Sequence, residues 1–168
     1  MAPMTAALFQ ASLFQEVGLL DELFESYLED VDFGLRCGFM GRMGAYEPRA
    51  VARHVGSATL GEWNRDTVRR IARNQVLLAR KHFRGVSEFR IVAGQLLWGI
   101  VACRHGRGFS YLRGKLQGLF ARPQGKVQLA GLATVNSVLE ESEQRIFELQ
   151  QKTGFDRYWR AYFWLSRQ

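Results

Sequence analysis

Phe24-Glu-Ser-Tyr-Leu-Glu-Asp-Val-Asp-Phe-Gly-Leu-Arg36 sets three carboxylates, Glu29, Asp30 and Asp32, within four residues at the head of an amphipathic segment. Val31, Leu35 and Phe39 recur on one face, while Glu29, Asp32 and Arg36 line another. That spacing predicts a helix from Glu29 to about Phe39. Gly38, Gly41 and Gly44 end it and free the chain to turn. Ala45-Tyr-Glu47 and Val51-Ala-Arg-His54 then read as short strands around a turn at Pro48. Ala52-Arg-His-Val-Gly-Ser-Ala-Thr-Leu-Gly61 puts a lone histidine before a small polar turn. The front of the chain is therefore expected to be mixed α/β, with the acidic turn and His54 returning to one place.

Upstream, Ser12-Leu-Phe-Gln15 has the form of a capping box, which predicts a short helix over about Leu13 to Val17, stopped at Gly18. Downstream, everything reads as helical. From Asp66 to Phe83, Val68, Ile71, Ala72, Leu78, Ala79 and Phe83 share one side. Arg69, Arg70, Arg73, Arg80 and Lys81 share the other, with Leu77, Gln75 and His82 breaking the pattern. Val86 to Cys103 forms a more apolar helix. Its longest uncharged run, Ile91 to Cys103, falls short of the roughly 20 residues a membrane span needs, so a buried or interfacial helix is expected. Helices over Phe109 to Phe120 and Leu132 to about Gln151 follow, and an aromatic helix after Thr153-Gly-Phe-Asp156 closes the chain. The expected fold class is mixed α/β, predominantly helical, divided into residues 1–62 and residues 63–168.

The 168 residues are 47% hydrophobic, enough for a folded core. Cys37 and Cys103 lie far apart with no second ligand nearby, which suits reduced packing thiols in a cytoplasmic protein. No basic start followed by an apolar run marks a leader. The net charge of +7 is unevenly spread. Residues 1–60 hold 8 acidic and 4 basic side chains, residues 61–128 hold 3 and 14, and residues 129–168 hold 5 of each. A basic middle of this strength suits an anionic membrane surface or a nucleic acid, and equally suits solvated helix faces with surplus arginine.

The carboxylates and the histidine each admit two readings. Acidic residues in the first turn of a helix favour their ionised forms, yet three together repel and raise the proton affinity of at least one. Such a group can accept a proton from a hydroxyl, or it can simply cap the helix, with Asp32 pairing to Arg36 one turn on. His54 can pack structurally, or approach a metal-bound diphosphate beside the backbone N–H groups of Gly56 and Ser57. The chain contains no P-loop, no G-x-G-x-x-G and no Ser-His-Asp order.

Three pieces, in order, resemble the acceptor-side half of family 2 glycosyltransferases of the rhamnosyltransferase type. They are Leu13-Phe-Gln-Glu-Val-Gly-Leu-Leu-Asp21, the Phe24–Arg36 run with its Glu-Asp-Val-Asp core, and Pro48-Arg-Ala-Val-Ala-Arg-His-Val-Gly-Ser-Ala58. Thr153-Gly-Phe-Asp-Arg-Tyr-Trp-Arg-Ala-Tyr-Phe163 is similar to a C-terminal extension of some members. The resemblance implies a partial GT-A, Rossmann-like piece over residues 1–62, followed by a bundle of amphipathic helices. It implies Asp30 as catalytic base, with Glu29 beside it in the acceptor pocket, His54 toward the diphosphate and metal, and Asp32, Gly56 and Ser57 in support. The reaction would be inverting transfer from a nucleotide-diphosphate sugar to a glycan or lipid-linked acceptor, with Mg²⁺ or Mn²⁺ screening the leaving group. No Asp-x-Asp half precedes these pieces, so the expectation is a truncated enzyme, inactive alone. It would sit peripherally at the inner face of the membrane, with no nucleic-acid partner. The alternatives are a non-catalytic helical scaffold and a basic nucleic-acid-binding protein.

Overall fold

The computed structural model describes residues 6–53, 63–86, 88–121 and 130–166. Among these residues every extended regular element is a helix: α1 (Ala11–Val17), a single 3₁₀ turn (Glu22–Phe24), α2 (Glu29–Phe39), α3 (Arg65–His82), α4 (Glu88–Arg104), α5 (Gly108–Phe120), α6 (Leu132–Thr153) and α7 (Arg157–Ser166). α1 starts at Ala11, one residue before Ser12, and no side chain caps it, so the Ser12–Gln15 box does not form.

α3 is the central strut. Asn64 caps its start, the side chain accepting the Asp66 N–H at 2.8 Å. On one side Val68 and Ala72 bury against Ala102 of α4 and Tyr111 of α5, with Trp63 and Trp98 packed around them. α5 crosses this side so closely that a Cβ on Gly114 would lie 2.2 Å from the Arg69 carbonyl oxygen. On the opposite, basic side α3 buries Leu77, and near its end, on the Val68 side, it buries His82. Leu77 breaks the amphipathic pattern because α3 is covered on more than one face, and His82 breaks it because its ring meets the Asp32 carboxylate.

The turn ahead of α2 is strained and held from α3. Glu25, Tyr27 and Leu28 have φ of 57°, 72° and 67°, a region that costs non-glycine residues about 1–3 kcal/mol each. The buried Asn74 amide donates to the carbonyls of Phe24 (2.7 Å), Ser26 (2.9 Å) and Tyr27 (2.7 Å). Arg73 donates to the Leu23 carbonyl at 2.8 Å. One short turn is therefore fastened through four backbone carbonyls to a single helix. Because Leu28 leads straight into α2, this turn also decides where Asp32 points.

α4 lies between α5 and α7. Gly94 admits the rings of Tyr158 and Tyr162, and the Tyr158 hydroxyl donates to the Gly94 carbonyl at 3.0 Å. α6 reaches back to α2, where Val138 sits over Gly38. An aromatic cluster of Phe147, Phe155, Trp159, Tyr162 and Phe163 joins α7 to α6. Arg90 pairs with Glu143 at 3.1 Å, and Tyr162 donates to the same carboxylate.

The mixed α/β expectation is overturned. No strand occurs among the described residues, so the Rossmann-like GT-A core that the resemblance implied for residues 1–62 is absent from them. Residues 45–53 are irregular and exposed, with Tyr46 and Val51 in solvent. Strand-favouring residues there meet no neighbouring strand, and an isolated extended run has nothing to bond its backbone.

Candidate functional site

Asp32 is the most enclosed charge among the described residues, 0% exposed. Its Oδ2 accepts from Arg36 Nε at 3.0 Å, and its Oδ1 takes Lys81 Nζ at 2.8 Å and His82 Nε2 at 2.7 Å. Arg36 extends the network by donating to the carbonyls of Val17 (2.6 Å) and Leu19 (2.7 Å), while Lys81 also meets Asp21 at 2.7 Å. Burial alone pushes the Asp32 carboxyl up. Hydrogen bonds from His82 and Lys81, with the charges of Lys81 and Arg36, outweigh burial and hold it below the ordinary value of 3.8. The hub ties the α1 exit, α2 and the end of α3 together. Three cationic or N–H donors and a lowered pKa leave it poorly disposed to take a substrate proton.

The other expected site residues do not join it. Asp30, two residues earlier, is partly exposed and accepts the Val31 N–H at 2.8 Å, a local capping contact. Glu29 keeps one carboxylate oxygen enclosed without a hydrogen-bond partner. His54, Gly56 and Ser57 lie outside the described residues. The histidine that does meet an acid of the Glu-Asp-Val-Asp run is His82, fifty positions from Asp32. No group of three or more His, Cys, Asp or Glu side chains among the described residues could hold a metal. Asp32, ringed by cations, is unsuited to Mg²⁺ or Mn²⁺.

The basic side of α3 is largely engaged within the fold. Arg80 donates to the carbonyls of Gly118, Leu119 and Ala121, at 2.7 to 2.9 Å, and so caps the C-terminus of α5. Arg69 binds Gln117 and Asp66, Arg70 pairs with Glu25, and Lys81 belongs to the Asp32 hub. Guanidinium groups held on internal carbonyls and carboxylates are poor candidates for contacting a phosphate backbone. Composition alone does not distinguish such arginines from a solvated face.

Lys115 went unremarked in the sequence and is one of the most perturbed groups. Its ammonium donates to Gln75 of α3 at 2.7 Å and to Gln95 of α4, and lies 5.1 Å from the Tyr111 ring centroid. Burial pushes its pKa down to about 7. An unfolded lysine titrates near 10.4, so between these values the unfolded chain carries more protons than the folded one. Stability should therefore rise as pH is raised from about 7 toward 10. Lys115→Met should flatten that rise, as read from urea midpoints across the range.

A second feature is an uncovered apolar face. On α4, Phe89, Val92, Leu96 and Ile100 recur at helical spacing, and on α5 so do Phe109, Leu112, Leu116, Leu119 and Phe120. These side chains are between 49% and 82% exposed. The two stripes meet at a groove of about 520 Å³ lined by Leu96, Gly99, Ile100, Cys103, Tyr111 and Leu112. Farther along the α5 stripe, Leu116 and Phe120 border an open cleft of about 570 Å³ that also takes in Glu25, Arg69, Arg73 and Arg113. The signal was present in the sequence: α4 is apolar on the face that packs and also on the face that does not.

No family model, curated protein or solved structure matches the chain. With no matching family and no sheet among the described residues, the resemblance to family 2 glycosyltransferases does not hold. The assignment as a sugar-transferring enzyme is withdrawn with it. The Leu13–Asp21, Phe24–Arg36 and Pro48–Ala58 pieces are short, and the first two have structural uses here: Arg36 and Asp32 bind the α1 exit to α3.

Proposed function

We propose that the chain is a non-catalytic helical scaffold that works by docking through the apolar face of α4 and α5. One observation carries this reading. Nine large apolar side chains on two consecutive helices stand at least about half exposed. Together they present roughly 1,000 Å², against the few hundred expected of a monomer's largest patch. A helix that is apolar all round is stable only when something covers it. Against catalysis, Asp32, the deeply buried carboxylate among the described residues, is held by three structural partners.

The test is fractionation of the protein from cells that produce it. Wild type should run in an assembly or sediment with a particulate fraction, and Leu96→Glu/Leu112→Glu should return it to the size of the free chain. Asp30→Asn should change nothing. Wild type migrating as a free 19.2 kDa chain that binds no apolar dye would overturn the reading.

A further inference from the structure

We propose that the occupant of the α4–α5 face is an anionic lipid surface, into which the two helices lie flat with their apolar stripes inserted. The proposal rests on the docking reading above and adds the chemistry of the partner. Its first support is charge. Between Glu88 and Glu140 the sequence contains no Asp or Glu and seven Lys or Arg, of which Arg90 is paired with Glu143 and Lys115 is buried. Arg104 lines the groove between the stripes, and Arg113 stands beside Leu116 and Phe120 at the cleft. Both are exposed, and neither pairs with an acid among the described residues. Glu25, the carboxylate at that edge, is already held by Arg70 and lies 3.7 Å from Arg73. Large aliphatic and aromatic side chains bordered by unpaired arginines, with no unpaired carboxylate beside them among the described side chains, suit the boundary between acyl chains and anionic headgroups.

The second support weighs against the nearest rival. In a two-fold dimer the same face meets itself, so two copies of an arginine-bearing face would be enclosed with no acid in either stripe to answer them. The third is length. No described helix is long and apolar enough to cross a membrane. α4 and α5, of 17 and 13 residues, reach about 25 Å and 20 Å at 1.5 Å per residue, so they lie in the interface rather than spanning it.

The experiment is flotation of the purified full chain with phosphatidylcholine vesicles, with and without phosphatidylserine. Binding is expected only with phosphatidylserine present, and it should fall as salt is raised. Leu96→Glu/Leu112→Glu should abolish it. Arg104→Gln and Arg113→Gln should each weaken it about fivefold without changing apolar-dye binding. An environment-sensitive dye on the exposed Cys103, with Cys37→Ser, should shift to the blue on anionic vesicles alone. If the glutamate pair fails to fold, the two arginine variants on the open surface decide the matter. Equal binding to neutral vesicles, or arginine variants that bind like wild type, would overturn the proposal. A wild-type dimer or a complex with an acidic protein, lost in Leu96→Glu/Leu112→Glu and seen without vesicle binding, would also overturn it while leaving the docking reading intact.

Discussion

Asp32→Ala should lower the stability of the protein by about 3–5 kcal/mol, the range for removing one partner of a buried ion pair. The substitution removes a partner from three groups at once. Lys81 and Arg36 have side chains only 12% and 14% exposed, and His82 loses the acceptor of its Nε2. Lys81 keeps Asp21, and Arg36 keeps the Val17 and Leu19 carbonyls, so the hub is weakened without being emptied. Asp30→Asn, two residues away on a partly exposed turn, should cost less than about 1 kcal/mol, the scale of a helix-dipole contact. Urea midpoints of the two variants check both values. If Asp30→Asn proved the costlier, the placement of the hub would be wrong.

The same carboxyl governs acid sensitivity. Its folded pKa lies below the ordinary value of 3.8, so the unfolded chain binds the extra proton first as pH falls. The Asp32 contribution is therefore complete above about 4 and drains as pH drops through the lower, folded value. Asp32→Asn should remove that portion of the acid dependence, leaving a shallower fall in thermal midpoint below about pH 4.

How far the chain could be read from its residues divides along local and non-local lines. Periodicity locates the helix at Glu29–Phe39 and the later helices to within a few residues, because an amphipathic repeat is a local property. The i, i+4 pairing of Asp32 with Arg36 is local too. What makes Asp32 a hub is Lys81 and His82, about fifty residues on, and no spacing rule reaches that far. Strand propensity at residues 45–53 misleads for the converse reason: an extended run becomes a strand only where a neighbour exists to pair with it. The arginines of α3 mislead through composition, since a guanidinium capping α5 and one in water are the same letter. Two signals were legible and informative: the apolar residues on both faces of α4, and the four-residue spacing of Gly114 and Gly118.

That glycine pair carries the other large effect. Gly114→Ala should destabilise the fold by about 3 kcal/mol or more, at or above the upper end of ordinary overpacking. The new Cβ would lie 2.2 Å from the Arg69 carbonyl oxygen and 2.8 Å from the Ala72 Cβ, and on Gly118 it would meet the Arg73 carbonyl oxygen at 2.6 Å. Two of these three obstacles are α3 backbone, and α3 cannot readily retreat, because Asn74 and Lys81 fasten it to the N-terminal turns. The better helix propensity of alanine, about 1 kcal/mol, offsets part of the clash and does not cancel it. Moving α5 outward would also pull the Gly118, Leu119 and Ala121 carbonyls from Arg80, so the loss extends beyond the contact itself. Gly44→Ala, with nothing within 4 Å and no left-handed backbone, should stay within about 0.5 kcal/mol and serves as the control. Since α5 carries Phe109, Leu112, Leu116 and Phe120, its displacement should lower stability and docking together. Leu96→Glu/Leu112→Glu should lower docking alone. Urea midpoints and vesicle flotation on the same two variants thus separate the helix crossing from the surface built on it, and a Gly114→Ala protein as stable as wild type would mean that α3 and α5 cross less closely than these distances require.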